Sequence, residues 1–241
     1  MDFDPTSEQK LLRDSIVRFA RGELNHDVAG RDRAQAFSRE LWRQCGAVGL
    51  LGLPVPEEYG GTNADPLSCA IALDALGYGC HDGGLVFSVC AHVLACVVPI
   101  WQHGSEAQKR HWLPGLCQGT LVGAHAITEA DSGSDTFAMR MRAQRTEGGW
   151  RLSGSKTFIS NAAEADVALV FALTDADKGF HGGVTVSWWI AARPGSRRAR
   201  ASRRWACARR RSASWCSTTC ASLTTPCSAA LAAGPVCSGR R

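Results

Sequence analysis

The sequence predicts an α+β fold, with an all-helical domain in residues 1–120 and a small antiparallel β-domain in residues 121–186. Helix-start signals and helical spacing of apolar residues are confined to the first part, and alternating apolar and polar residues begin only after Gly119. Helices and strands that are segregated along a chain argue against alternating βαβ units. A change of composition near residue 187 sets apart a third region, residues 187–241.

Two capping boxes mark helix starts in the first region. Thr6 is followed three residues later by Gln9, and Ser105 by Gln108, so each pair can satisfy the free N–H groups of a first helical turn. Apolar residues after Thr6 recur at helical spacing and predict a helix that runs towards Gly30. Other helices are predicted at about 38–47, 66–76 and 84–101 and between residues 105 and 119, with a proline-broken loop at 49–61.

The second region has the period of strands. Residues 122–127 form a short apolar run, and Met139, Met141 and Ala143 alternate with polar residues before a glycine turn at 147–149. Trp150 and Leu152 continue the alternation, which predicts a β-hairpin with one buried face. The continuous apolar run 167–173 predicts a strand that is buried on both faces.

Composition and charge exclude several protein classes. The 241 residues are 45% hydrophobic and 20% charged, which is typical of a globular protein and not of a disordered or fibrous one. The net charge of +5 describes no single surface, because residues 187–241 contain no acidic residue and 11 of the 27 basic ones. Residues 1–186, taken alone, carry a net negative charge.

The six cysteines before residue 187 are scattered among apolar residues, without a CxxC or Cys/His ligand spacing. We therefore expect buried thiols, no metal site and a reducing, cytoplasmic location. The acidic N-terminus lacks the basic region of a signal peptide. The longest apolar run, Leu85–Val98, is shorter than the roughly 20 residues that cross a bilayer, so it predicts a buried helix.

The segment 126–138 carries the strongest chemical signal. A predicted strand leads into a loop rich in small and hydroxyl residues, in which Gly133 allows close approach and Thr128, Ser132 and Ser134 add donors. Such a loop can cradle an anion such as a pyrophosphate. The same composition is also typical of an ordinary turn.

Four ordered motifs in residues 3–186 resemble the flavin-dependent acyl-CoA dehydrogenases. These are Pro56–Gly61, Gly104–Lys109 with Leu113-Pro114, the signature around Thr128-Glu129 and Gly133-Ser134-Asp135, and Leu152–Asn161. The chain departs from the family pattern at Ala130, where the family usually has proline. This change should loosen the loop without removing a cofactor contact.

The resemblance implies an FAD site on the middle domain. Thr128 and the backbone of Ile127 would bind the pyrimidine side of the isoalloxazine, Ser134 would lie near the pyrophosphate and the acyl substrate, Phe158 would pack on the ring, and Ser160 would donate near flavin N5. The complete set of expected cofactor-binding residues is His125, Ala126, Ile127, Thr128, Gly133, Ser134, Phe158, Ile159 and Ser160, with Ser134 also at the substrate.

Simpler interpretations of some of these residues remain open. Phe158 could be a core residue of a strand, and His125 could be a strand histidine whose ring is satisfied by the protein. Asp131 and Asp135 are interpreted as turn formers and not as catalytic acids.

The resemblance also implies α,β-dehydrogenation of an acyl-CoA or acyl-carrier-protein thioester, with hydride transfer to FAD. In the family the base that removes the α proton is a glutamate in a C-terminal four-helix bundle, and no residue of this chain matches it. Glu129 belongs to the flavin-side loop and is a poor candidate for that base. The electron acceptor is not specified by the sequence. Family members are homo-oligomers, and we expect this chain to lack the usual interface.

The tail, residues 187–241, has two interpretations. Arginines interleaved with tryptophans are typical of a nucleic-acid-binding arm. Alternatively, a one-nucleotide shift near codon 186 accounts for the loss of acids, since codons permitted for Ser214–Cys220 read Leu-Val-Phe-Asp-Asp-Val in another frame. That frame restores the strand the family pattern requires, and it predicts that 187–241 form no stable packed structure.

Three functional hypotheses follow. The first is an FAD-dependent acyl-CoA dehydrogenase, which an in-frame chain would complete. The second is a truncated, catalytically incompetent remnant with weak FAD binding. The third is a nucleic-acid-binding module that acts through the basic tail.

Overall fold

A computed structural model describes residues 4–146, 149–175, 178, 183–190, 201–203, 217–219 and 228–229. Its first half is helical, as the sequence predicts. The α-helices are α1 (Ser7–Phe19), α2 (Val28–Ala34), α3 (Arg39–Ala47), α4 (Pro66–Gly79), α5 (Gly83–His92), α6 (Val98–His103) and α7 (Glu106–Cys117). Both predicted capping boxes are present, and Gly119 follows α7 with a φ of 74° that favours glycine.

The prediction that the first helix runs towards Gly30 is wrong. After α1 the chain makes one wide helical turn, Ala20–Leu24, and stops at Asn25. Asp27 then adopts a left-handed backbone with a φ of 47°, and its side chain accepts a hydrogen bond from Gly30 N at the start of α2. The capping aspartate therefore divides the predicted helix in two.

The second half is a sheet centred on one strand. The strands are β1 (Gly123–Ala126), β2 (Arg142–Thr146), β3 (Gly149–Ser153), β4 (Val167–Leu173), β5 (Val184–Ile190), β6 (Ala201–Arg203), β7 (Ser217–Thr219) and β8 (Ser228–Ala229). Strands β2 and β3 form the predicted hairpin, with Ala143 opposite Leu152, and β4 pairs with β1, β2 and β5.

The sheet is mixed and not purely antiparallel as predicted. Strand β4 runs antiparallel to β5 but parallel to β1, with Gly123 opposite Val167, and parallel to β2 at its end. A parallel pair needs a long connection, and the chain supplies one, because the loop after β1, the hairpin and the segment 154–166 all lie between β1 and β4.

Strand β4 is buried on both faces, which confirms the interpretation of its continuous apolar sequence. Val167 and Leu169 pack with the apolar side chains of α6 and α7, whereas Ala168 and Val170 pack in a second core with Met141 and Leu152. The helical domain therefore lies directly against one face of the sheet.

Three polar side chains, each with two contacts, fix the start of β1 against the helices. His92, which is fully buried in α5, accepts a hydrogen bond from Gly123 N at Nδ1 and donates from Nε2 to Leu116 O, at 2.9 and 3.2 Å. Asp166 accepts from Val122 N at 2.8 Å and pairs with Arg39 of α3 at 2.7 Å. The third side chain is that of Asn161, described below with the site.

Within the described part of the chain, one continuous helical run has the length and composition of a membrane span. It covers Gly83–His103, and its most apolar 18 residues have a mean hydropathy of 2.1. Leu85, Val89, Val93 and Cys96 on this run are buried in the two helical cores.

The predicted tail lies mostly outside the described residues. Strand β5 crosses the predicted boundary at residue 187 and pairs with β4 as far as Ile190. The described parts beyond it are β6 paired with β7 and β8 paired with β3. The shifted reading frame and the absence of stable packing in 187–241 stay predictions.

Candidate functional site

The two segments that the sequence singles out meet in one place. The backbone N–H of Thr157 donates to Thr128 O at 2.8 Å, and Lys156 Nζ donates to Ile127 O at 2.8 Å. The loop that follows β1 and the segment 156–161 therefore form a continuous surface, which we call the loop platform (residues 127–135 and 156–161).

The first half of the loop platform is a tight turn held by its own polar groups. Glu129 and Ser132 exchange backbone hydrogen bonds at 2.8 and 3.3 Å, and the buried Ser132 hydroxyl donates to Asp135 O at 2.7 Å. The carboxylate of Asp135 accepts from Phe137 N at 3.1 Å. Asp135 is therefore a turn former, in agreement with its interpretation from sequence. Asp131 lies on the surface, 3.6 Å from Arg140.

Gly133 and Ser134 are exposed at the outer edge of this turn. A Cβ atom built on Gly133 would meet no atom within 4 Å, and its φ lies outside the left-handed region. Neither packing nor backbone conformation thus requires glycine at this position. The space beside Gly133 is open to a ligand.

Phe158 has an uncommon backbone. Its φ is 56°, in the left-handed region that bulky side chains rarely occupy, and 53% of the residue is exposed. The core alternative for Phe158 is therefore wrong. An exposed aromatic ring on a strained backbone contributes little to the stability of the fold. Such strain is typical of functional sites.

Asn161 holds the far end of the same segment. It also has a left-handed backbone, with a φ of 63°, and its side-chain amide donates to Ser88 O of α5 and to Gly123 O of β1, at 3.1 and 3.2 Å. Ser160, which is half-buried, lies between these two strained residues. The Asn161 contacts join the loop platform to both the helical domain and the sheet.

The remaining predicted site residues contribute differently. Ala126 and Ile159 are 1% and 2% exposed in the core behind the sheet, so only their backbones can face a ligand. The His125 ring donates from Nδ1 to Ala95 O at 2.7 Å and packs on Phe171. The alternative interpretation, a histidine satisfied by the protein, is therefore confirmed for His125.

Sequence reasoning missed the ion pair that is buried within the loop platform. Lys156 and Glu129 form an ion pair at 2.8 Å, and their side chains are 0% and 9% exposed. Both oxygens of Glu129 are occupied, since they also accept from Arg140 N at 2.6 Å and Met141 N at 2.9 Å. The available signal was a lysine between the predicted hairpin and the expected flavin-binding residues 158–160, but a charged residue at such a position normally predicts exposure.

The surroundings favour the charged form of Glu129 and disfavour the charged form of Lys156. Burial raises the pKa of Glu129, but hydrogen bonds from Lys156 and from two backbone N–H groups outweigh burial, and the net pKa is lowered. Burial lowers the pKa of Lys156, and Glu129 offsets part of that effect. A carboxylate with fixed donors on both oxygens is not available as a base. This agrees with the expectation from sequence that Glu129 is a poor candidate for the base.

Two family models match the chain. They are the acyl-CoA dehydrogenase N-terminal domain, over residues 6–120, and the acyl-CoA dehydrogenase middle domain, over residues 124–218. Their junction falls between α7 and β1, at the boundary between the helical domain and the sheet.

Individual relatives agree with this result. An L-prolyl-(peptidyl-carrier protein) dehydrogenase from Serratia sp. is 42% identical over 76% of this chain and 47% of its own length. A short-chain-specific acyl-CoA dehydrogenase from Clostridium acetobutylicum is 37% identical over 76% of this chain and 48% of its own. The solved structure of PigA with FAD and proline superposes with a TM-score of 0.85 at 33% identity, over 98% of this chain and 60% of that one.

The chain spans about half the length of the curated relatives that it matches. The matched half includes the loop platform and both layers that support it. Through its N-terminal and middle domains, the chain belongs to the acyl-CoA dehydrogenase family.

Proposed function

We propose that the loop platform is the FAD-binding face of an acyl-thioester dehydrogenase. The observation that carries the proposal is the junction at Thr128 and Thr157, because it brings the two halves of the expected flavin site together beside an outward Phe158. The relative solved with bound FAD, which superposes over nearly the whole chain, supports the same assignment.

Two further observations fit a bound FAD. The hydroxyl of Thr157 is buried and has no hydrogen-bond partner within the described residues, which leaves a polar atom beside the junction for a ligand to satisfy. The open space beside Gly133 offers room for a diphosphate next to the exposed Ser134. Thr128, Ile127 and Ser160 would bind the ring system, and Phe158 would pack on it.

FAD, when bound, would accept the hydride that leaves the β carbon of the thioester. The protein would orient the ring with Phe158 and supply donors that favour the negative charge of the reduced ring. The exposed Ser134 would lie near the acyl group. No residue of this chain matches the glutamate base that the family resemblance implies, so the proposal covers the flavin half of the site and not turnover by this chain alone.

An FAD titration tests the proposal. We expect saturable binding to the 241-residue chain, seen as a change in flavin fluorescence, and we expect Phe158→Ala to weaken it by about tenfold or more, because a stacked aromatic surface is lost. Phe137→Ala is the matched control, since Phe137 is similarly exposed, at 58% against 53% for Phe158, but lies outside the loop platform. Absence of binding, or equal effects of the two variants, would contradict the proposal.

For the substrate we propose an acyl thioester, with a prolyl group on a carrier protein as the favoured member of that class. The carrier-protein dehydrogenases from Serratia sp. and Pseudomonas fluorescens, at 42% and 39% identity, support this choice over an acyl-CoA. The test is whether prolyl-carrier protein or butyryl-CoA perturbs the absorbance of bound FAD. Perturbation by butyryl-CoA alone would reverse the preference.

A further inference from the structure

Burial of the Lys156–Glu129 ion pair costs free energy, and this cost needs a physical explanation. Among the ion pairs of the described residues, only this one has both side chains less than a tenth exposed. Moving two charges out of water is unfavourable, and apolar replacements of such pairs are often no less stable. Stability alone therefore gives a poor account of the pair.

The hydrogen bonds of the pair show what it organises. Lys156 binds the backbone oxygen of Ile127, and Glu129 binds the backbone N–H groups of Arg140 and Met141. These contacts, together with the 2.8 Å bond between Lys156 and Glu129, join three separate stretches of backbone at one point. Two of the three stretches belong to the loop platform.

The same contacts lie next to the residues expected at the flavin. Ile127 is held directly by Lys156, and Thr128 is held by the residue that follows Lys156. Phe158 comes two residues after Lys156. Its strained backbone needs neighbours that are fixed in place, and the buried ammonium fixes the residue from which the strained segment starts.

We propose that Lys156 and Glu129 are positioning residues that set the distance between the two halves of the flavin site without touching the flavin. The inference rests on the proposed function. Because the two charges cancel, the pair can lie close to the ring without favouring either redox state of FAD. Removal of one charge should therefore alter both the geometry and the redox preference, and removal of both should alter the geometry alone.

Three variants separate these effects. Lys156→Met leaves the Glu129 carboxylate unbalanced, and the double variant Lys156→Met/Glu129→Gln removes both charges. Arg39→Met is the matched control, since Arg39 forms a less buried ion pair that joins a helix to Asp166, outside the loop platform. Thermal unfolding of each full chain shows which variants fold.

The readouts are the dissociation constants of oxidised FAD and, under anaerobic conditions, of reduced FAD. We expect Lys156→Met to weaken oxidised FAD about tenfold and reduced FAD still more, because the reduced ring carries negative charge near an unpaired carboxylate. The double variant should weaken both forms by the same factor. Arg39→Met should leave both constants within about twofold of the parent chain, whatever its effect on unfolding.

The outcomes are distinguishable. If the parent chain binds no FAD, the proposed function fails, and the inference fails with it. If the parent binds FAD and a folded Lys156→Met or double variant binds both forms as the parent does, only the inference is overturned. If Lys156→Met does not fold, the double variant decides, since it carries no unpaired charge. Equal weakening by Arg39→Met would also overturn the inference, because any ion pair would then have the same effect.

Discussion

At the residue scale, the loop platform depends on two left-handed residues that carry large or polar side chains. Nothing in the sequence predicts a φ of 56° at Phe158, because the usual signals for that conformation are glycine and, less strongly, asparagine. Asn161, with a φ of 63°, carries the weaker of these two signals. The sequence identified both residues as part of a motif. Their conformation follows from tertiary contacts, such as those of Asn161 with Ser88 and Gly123, which no local pattern encodes.

The strain at Phe158 makes a prediction about glycine. Phe158→Gly should be more stable than Phe158→Ala by about 1 kcal/mol, because both variants lose the ring but only alanine keeps a Cβ in the left-handed region. Urea unfolding of the two variants measures the difference. At Phe137, which lies in the turn Thr136–Ala138 without a positive φ, alanine should be the more stable by roughly 0.5–1 kcal/mol. If alanine were the more stable variant at Phe158 as well, backbone strain at Phe158 would be excluded.

His92 makes a prediction about acid. Burial lowers its pKa from 6.5 to about 4, so the folded protein resists a proton that the unfolded chain accepts below pH 6.5. Above pH 6.5, His92 is neutral in both the folded and the unfolded chain and costs no stability. As the pH falls from 6.5 to 4, protonation of the unfolded chain lowers the free energy of unfolding by about 3 kcal/mol. Unfolding free energies measured from pH 8 to pH 4 test this. A His92→Gln variant should be less stable at pH 8 and should lose less stability in acid, and an unchanged slope would contradict the assignment.

At the scale of elements, local signals predicted the most. Both capping boxes, the hairpin and β4 follow from patterns of a few residues, and the structure contains all of them. The direction of pairing did not follow from such patterns. Whether β1 lies parallel or antiparallel to β4 depends on the route of the 40 residues between them, and apolar alternation is the same in either direction.

Strand β4 gives an element-scale prediction. Leu169→Ala and Val170→Ala are neighbours on opposite faces, and each should lower the free energy of unfolding by about 2 kcal/mol or more, because both faces are packed. Arg145→Ala on the exposed side of β2 is the control and should change it by less than about 0.5 kcal/mol. A small effect at either Leu169 or Val170 would mean that one face of β4 is open to solvent.

At the scale of the whole molecule, composition changes near residue 187, whereas the middle-domain family model runs on to residue 218. The helical domain and the sheet share a core through Val167 and Leu169, and the two family models meet at the division between these two domains. The ion pair within the loop platform could not be predicted, because its two members are 27 residues apart and meet only when β1 and the segment after β3 come together. The proposed function was inferred from the resemblance of several ordered motifs to a family, and not from any single residue.

The tail carries a prediction about the gene. Resequencing the DNA around codon 186 should show one inserted or missing nucleotide, and the corrected frame should encode Leu-Val-Phe-Asp-Asp-Val in place of the residues near Trp215. Confirmation of the printed frame would exclude this explanation. Salt-sensitive DNA binding that disappears on deletion of residues 187–241 would then favour the nucleic-acid alternative.

We propose that two segments distant in sequence form one flavin-binding surface. A crystal structure of this chain grown with saturating FAD would show whether they do. We expect electron density for the isoalloxazine against the ring of Phe158 and within hydrogen-bond distance of Thr128, with the diphosphate beside Gly133. Density for FAD at any other surface, with the space between these residues filled by solvent, would contradict it.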